Sequence, residues 1–123
     1  LGLSYTQFSY ANLQLSANKM STNGKIIASV EITNTGNYDG KEVVQLYIRD
    51  VVGSVTRPIK ELKGFQKINL TKGQKQTVTF EITEEDLKFY NSELEFIAEP
   101  GTFHVFIGTN SDVTEYKPFE LVK

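Results

Sequence analysis

Three adjacent carboxylates, Glu84, Glu85 and Asp86, form one cluster in this chain with the residue types for acid–base chemistry. An acid–base pair working across a scissile bond needs two carboxyl groups facing each other, roughly 5–9.5 Å apart. Neighbours at i and i+1 on a helical turn point in different directions. Behind Thr83 the three acids instead suit the N-terminus of a short helix. His104 is the single histidine, with no nearby acid or Cys to make it a general base or metal ligand. It reads as a surface or edge histidine facing away from Phe103 and Val105. Ser4, Ser54 and Ser111 have no discernible base partner, which argues against a nucleophilic serine. Asn37, Asp39 and Gly40 faintly resemble a calcium loop but lack the alternating acids and closing Glu of an EF-hand, so a plain turn is expected.

Aromatic side chains are the remaining chemical resource. Tyr5, Tyr10, Tyr38, Tyr47, Tyr90 and Tyr116 could stack on the apolar faces of sugar rings, although Trp is absent. Tyr47 and Phe106 fall opposite the core-facing residues of their strands. That placement points to a second face buried against another domain, with an exposed aromatic patch as the alternative.

The elements that must position these residues are strands. Lys25 to Thr33, Glu42 to Asp50, Gln76 to Ile82 and Thr102 to Gly108 alternate apolar and polar with a period of two. Ile26, Ala28, Val30 and Ile32 share one face, as do Val44, Leu46 and Ile48, then Val78, Phe80 and Ile82, then Phe103, Val105 and Ile107. Weaker strands are expected over Phe8 to Ser16, Ile59 to Ile68, Leu94 to Ala98 and Glu115 to Val122. Asn34 to Gly40 is a turn cluster. Thr83 to Asp86 opens a short helical turn that Leu87 to Tyr90 closes. Seven to eight short strands with turn signals between them predict an all-β, antiparallel immunoglobulin/fibronectin type III-like β-sandwich. The missing Cys pair and core Trp favour the fibronectin type III-like version.

Length and composition agree with one globular domain. The 123 residues are 39% hydrophobic and 23% charged, and can bury roughly two-thirds of their unfolded surface. With 13 basic and 15 acidic side chains, the net charge of −2 gives no electrostatic reason to expect nucleic acid or an anionic membrane. No apolar run approaches the ~20 residues of a membrane span. Without Cys there are neither disulfides nor thiolate metal sites. No cofactor is expected. The chain begins at Leu1 and its only Met is Met20, which reads as a piece of a longer protein whose signal peptide would lie upstream.

Arg49, Asp50, Arg57, Pro58, Lys60 and Glu61 gather around the break between two strands, and Pro58 forces extended backbone at Arg57. Two readings stand: a crossover held by ion pairs, or a loop docked on a partner domain. The docked loop would comprise Arg49, Asp50, Ser54, Val55, Arg57, Pro58 and Glu61.

The run Val43-Val44-Gln45-Leu46-Tyr47-Ile48-Arg49-Asp50, then Ser54-Val55-Thr56-Arg57-Pro58, then Lys60-Glu61-Leu62-Lys63-Gly64-Phe65 resembles the fibronectin type III-like domain that closes many family-three glycoside hydrolases. Gly2 to Thr6 with Phe8 and Tyr10, Asn34-Thr35-Gly36 with Gly40, Asp86-Leu87 with Phe89-Tyr90, and Glu99-Pro100-Gly101 with Phe103, Val105 and Gly108 follow in the family's order. Phe96 stands in the region where the family often has Trp. Ser111-Asp112 is similar to part of the family's nucleophile motif, but Val113 follows where Trp belongs, and the pair lies in a turn of the wrong domain.

The resemblance implies a parent that is a retaining exo-acting β-glycosidase, with its Asp nucleophile and Glu acid/base in other domains and no catalytic residue here. Residues 1–7 would be the lead-in from a preceding domain and residues 8–123 the sandwich. The domain's partners would be the catalytic domains of the same chain, and oligo- or polysaccharide through the parent. Its location would be periplasmic or extracellular. A carbohydrate-binding module and a free-standing adhesion or interaction domain are the alternative readings.

Overall fold

A computed structural model describes residues 6–51 and 60–123. Ten strands and one 3₁₀ turn follow in order: β1 (Phe8–Leu15), β2 (Lys19–Ser21), β3 (Lys25–Asn34), β4 (Gly40–Asp50), β5 (Glu61–Leu70), β6 (Lys75–Thr83), the turn Glu84–Leu87, β7 (Phe89–Tyr90), β8 (Phe96–Ile97), β9 (Gly101–Gly108) and β10 (Lys117–Val122). They form a sandwich of a three-stranded sheet, β1-β3-β6, and a five-stranded sheet, β2-β10-β9-β4-β5, with β7 and β8 as a small separate ribbon.

The period-two pattern explains the packing. Ile26, Ala28, Val30 and Ile32 of β3 face Val44, Leu46 and Ile48 of β4 and Phe103, Val105 and Ile107 of β9 across the core. β6 adds Val78, Phe80 and Ile82, and β10 adds Phe119 and Leu121. Phe103 stacks between Phe119, 5.6 Å away, and Phe89, 6.4 Å away, tying the end of the sandwich to the ribbon.

Three expectations need correction. β2 was not foreseen, and it pairs in parallel with β10, so the sheets are not wholly antiparallel. Three residues are too few for alternation to register, yet Met20 is buried beside Leu121. The helical segment stops at Leu87 because Lys88 is already extended and Phe89–Tyr90 pairs with Phe96–Ile97. The carboxylate of Asp86 accepts a hydrogen bond from the Thr83 amide at 2.9 Å, and Glu85 pairs with Lys88 at 3.1 Å. Asp86 and Glu85 therefore cap and brace a turn.

Candidate functional site

The outer face of the five-stranded sheet carries Arg49 of the expected loop together with Tyr47, His104 and Phe106. β4 pairs with β9 so that Tyr47 lies opposite Phe106 and Arg49 opposite His104; on the other side of β4, Leu62 lies opposite Tyr47 and Phe65 opposite Gln45. Cross-strand partners share a face, so these side chains form continuous rows.

The Tyr47–Phe106 pair is not an exposed aromatic patch. Phe106 is 2% exposed and Tyr47 8%, and groups of the same chain cover them. The Lys60 ammonium sits 4.3 Å from the Phe106 ring centroid, the Arg49 guanidinium 5.3 Å, and the Tyr116 ring 5.7 Å. The exposed apolar side chains of this face are instead Val43, on β4 itself, and Leu62 and Phe65, one strand further out on β5.

His104 is not at a sheet edge, because β9 lies between β4 and β10. It is half-buried, and Tyr116 stacks on it at 3.8 Å with 14° between the planes. Burial, and secondarily the Arg49 charge, lower its pKa, so the imidazole favours the neutral form. Burial and Arg49 also lower the pKa of Lys60, with Asp112 opposing, and the Lys60 amine donates to the Val113 carbonyl.

Of the proposed contact loop, Arg49 and Asp50 end β4 and Glu61 begins β5, 3.3 Å from Lys63. Ser54, Val55, Arg57 and Pro58 lie outside the described residues, as do Ser4 and Tyr5. Asp39 caps a neighbouring turn by accepting from the Lys72 amide at 2.8 Å. No group of three or more His, Asp or Glu side chains that could hold a metal occurs among the described residues. Ser111 and Asp112 occupy a turn in which the Asn110 side chain accepts from the Asp112 amide at 2.8 Å. The tyrosines do not share one platform: Tyr10 sits on the three-stranded sheet, Tyr47 and Tyr116 on the outer face of the other, and Tyr90 on the ribbon against Phe96.

Two buried polar centres went unforeseen. Glu42 accepts from the Tyr10 hydroxyl at 2.8 Å and the Thr109 hydroxyl at 2.9 Å, linking the two sheets. Burial pushes the Tyr10 phenol well above its ordinary pKa; the Thr109 hydrogen bond opposes this and Glu42 reinforces it. Asn34 joins three segments: its amide donates to the carbonyls of Tyr38 and Leu70, and its oxygen accepts from Thr6 and from the Gly36 amide. Both residues continue the core-facing parity of their strands, the signal that could have found them.

This arrangement of an aromatic row on β4 and β9, beside the β4–β5 connection, falls within a match to the fibronectin type III-like domain model over residues 42–111. The chain belongs to the fibronectin type III-like domain family. It is 49% identical over 121 residues to a periplasmic beta-glucosidase of Salmonella typhimurium, covering 98% of this chain and 16% of that protein. It is 48% identical over 122 residues to a putative beta-xylosidase of Formosa agariphila, covering 99% of this chain and 16% of that one. The crystal structure of a beta-glucosidase from Listeria innocua in complex with glucose matches with a TM-score of 0.85 at 39% identity, over 100% of this chain and 17% of that chain. The fibronectin type III-like domain described here thus spans about one-sixth of the length of the proteins it matches. No helix among its described residues is long and apolar enough to cross a membrane.

Proposed function

We propose that this domain is a non-catalytic accessory module of a retaining exo-β-glycosidase of the β-glucosidase type, which packs against the catalytic domains and stabilises their arrangement. The observation that carries this reading is coverage: nearly the whole chain matches β-glucosidases and a β-xylosidase while amounting to one-sixth of each. In this reading residues 1–7 lead in from a preceding domain and residues 8–123 form the module. The connection bearing Arg49, Asp50, Ser54, Val55, Arg57, Pro58 and Glu61 contacts the catalytic part. The Salmonella typhimurium relative is described as periplasmic, which supports a location in the periplasm or outside the cell.

The test is deletion of this domain from the parent, followed by measurement of thermal midpoint and turnover. A lower midpoint with reduced turnover is expected. Unchanged values would sink the proposal.

A further inference from the structure

The two outer faces of the sandwich differ in kind. On the three-stranded sheet, β3 and β6 present mainly Ser, Thr, Glu and Lys, and their charges pair with one another: Lys25 with Glu81 and Lys75 with Glu31, each at 3.6 Å. This is a solvated face. The opposite face, on β4 and β5, exposes Phe65 (57%), Leu62 (53%) and Val43 around the covered Tyr47. Large apolar side chains grouped on one sheet face are costly to leave in water and mark a contact surface. Charge is one-sided as well. The outward positions of β4 and β5 include Lys41, Arg49 and Lys67 and no carboxylate, since Glu42 and Glu61 have the inward parity.

We infer that the outer face of β4 and β5, centred on Phe65 with Leu62 and Val43, is the surface on which another domain of the same parent chain docks, and that the docking domain presents an apolar patch bordered by carboxylates. The inference rests on the accessory-module reading and names its partner surface. Two arguments select this occupant. The matched proteins have about five times this chain's length in addition to the matched segment, so a covalently attached partner is at hand in them. The area is also sufficient. Ten residues at ~3.3 Å each, across the two strands ~4.8 Å apart, give roughly 320 Å² on one side. Counting both partners, that is about 640 Å², at the lower end of the range of ~600–1,500 Å² for inter-domain contacts. The absence of carboxylates among Lys41, Arg49 and Lys67 makes an acidic border the complementary one.

The experiment places a photoreactive phenylalanine analogue at position 65 of the full parent glycosidase and, in a separate protein, at position 79 on the solvated sheet. Cross-linked peptides are then mapped by mass spectrometry. Position 65 is expected to cross-link to another domain of its own chain, within a segment rich in Asp or Glu, and position 79 to give no such product. Phe65→Asp is expected to make the junction between domains more sensitive to limited proteolysis, with Thr79→Asp as the silent control; both positions are exposed, so neither change threatens the core. Cross-links from 79 but not 65 would overturn the docking face and leave the accessory module standing. Products from neither position would overturn the face, and together with an unchanged domain-deletion protein would overturn the module reading too. Cross-links to a second copy, or retention of the parent on insoluble cellulose, xylan or laminarin that Phe65→Ala abolishes, would overturn the choice of occupant.

Discussion

Asn34 donates its side-chain amide to the Leu70 carbonyl at 3.0 Å, joining the end of β3 to the end of β5 across the edge of the sandwich. The same amide reaches the Tyr38 carbonyl at 2.8 Å, and the Asn34 oxygen accepts from the Thr6 hydroxyl at 2.5 Å and the Gly36 amide at 3.0 Å. The backbone of Asn34 adds bonds to Gln74 and Gly73. One side chain therefore satisfies the polar groups of two turns and fixes the path of the chain entering β1. At 1% exposure, no water can replace what it supplies.

Replacing it should be expensive. Asn34→Ala leaves buried donors and acceptors unpaired at ~1–3 kcal/mol each, partly offset by relaxation, so a loss of about 2–4 kcal/mol is expected. Asn34→Asp should cost at least as much, because it sets a carboxylate against the Leu70 and Tyr38 carbonyls. Urea denaturation followed by circular dichroism measures both; a loss under about 1 kcal/mol for either variant would contradict the hub role.

Gly36 and Gly40 are needed for the same junction, for different reasons. A Cβ on Gly40 would meet the Cγ2 methyl of Thr6, a side-chain atom. A Cβ on Gly36 would meet the hydroxyl oxygen of Thr6, which serine would keep, and the backbone of Thr6 and Gln7. Gly40→Ala should therefore be rescued by Thr6→Ser, which removes that methyl and keeps the hydroxyl bond to Asn34, whereas Gly36→Ala should not. A double-mutant cycle reads the difference: a coupling of at least about 0.5 kcal/mol is expected for positions 6 and 40. Equal rescue of both glycine variants would refute the distinction.

The parity of the strands made much of this readable in advance. Asn34 continues the series Ile26 to Ile32, Glu42 precedes Val44, and Asp50 follows Ile48; all three are buried, as alternation requires. Reading Asn34 as the first residue of a turn hid its place in the core. Alternation also put Tyr47 and Phe106 on the outer face, but it is silent about what lies above a face. The cover of Phe106 comes from Lys60 and Tyr116, which belong to other segments, and such contacts leave no local periodic trace. The parallel β2–β10 pair escaped for the same reason: three residues are too short for a period, and parallel pairing joins segments distant in sequence.

The Tyr10–Glu42 bond makes a prediction at alkaline pH. The folded phenol has a raised pKa, so above about pH 10 the unfolded chain releases its proton while the folded one retains it. Stability from this group is complete below about pH 10 and falls as pH rises beyond it, by at most ~1.4 kcal/mol per pH unit. Tyr10→Phe should cost about 1–2 kcal/mol at neutral pH, by depriving the buried Glu42 of a donor. It should also flatten the alkaline decline relative to the unsubstituted protein. Parallel stability curves for the two proteins between pH 9 and 11 would exclude this linkage.

His104 gives the converse case on the acid side. Its pKa is lowered first by burial beneath Tyr116 and Phe106 and then by Arg49, so the folded state resists taking up a proton. Below about pH 6.5 the unfolded chain binds that proton and the folded chain does not until the lowered pKa is reached. The contribution of neutral His104 is thus complete above about pH 6.5 and is lost as pH falls through that window. His104→Gln should remove this part of the acid limb, leaving the part due to carboxylates. The two causes can be separated, because Arg49→Met removes the charge and keeps most of the covering bulk. NMR titration of the imidazole should give a midpoint below 6.5 in the unsubstituted protein and a partial return toward 6.5 in Arg49→Met, partial because burial is the larger cause. Tyr116→Ala uncovers the ring and should bring the larger return, along with roughly 1 kcal/mol of lost stacking. A midpoint at or above 6.5 in the unsubstituted protein would show that the stacked, half-buried imidazole is charged after all, and that Arg49 does not govern it.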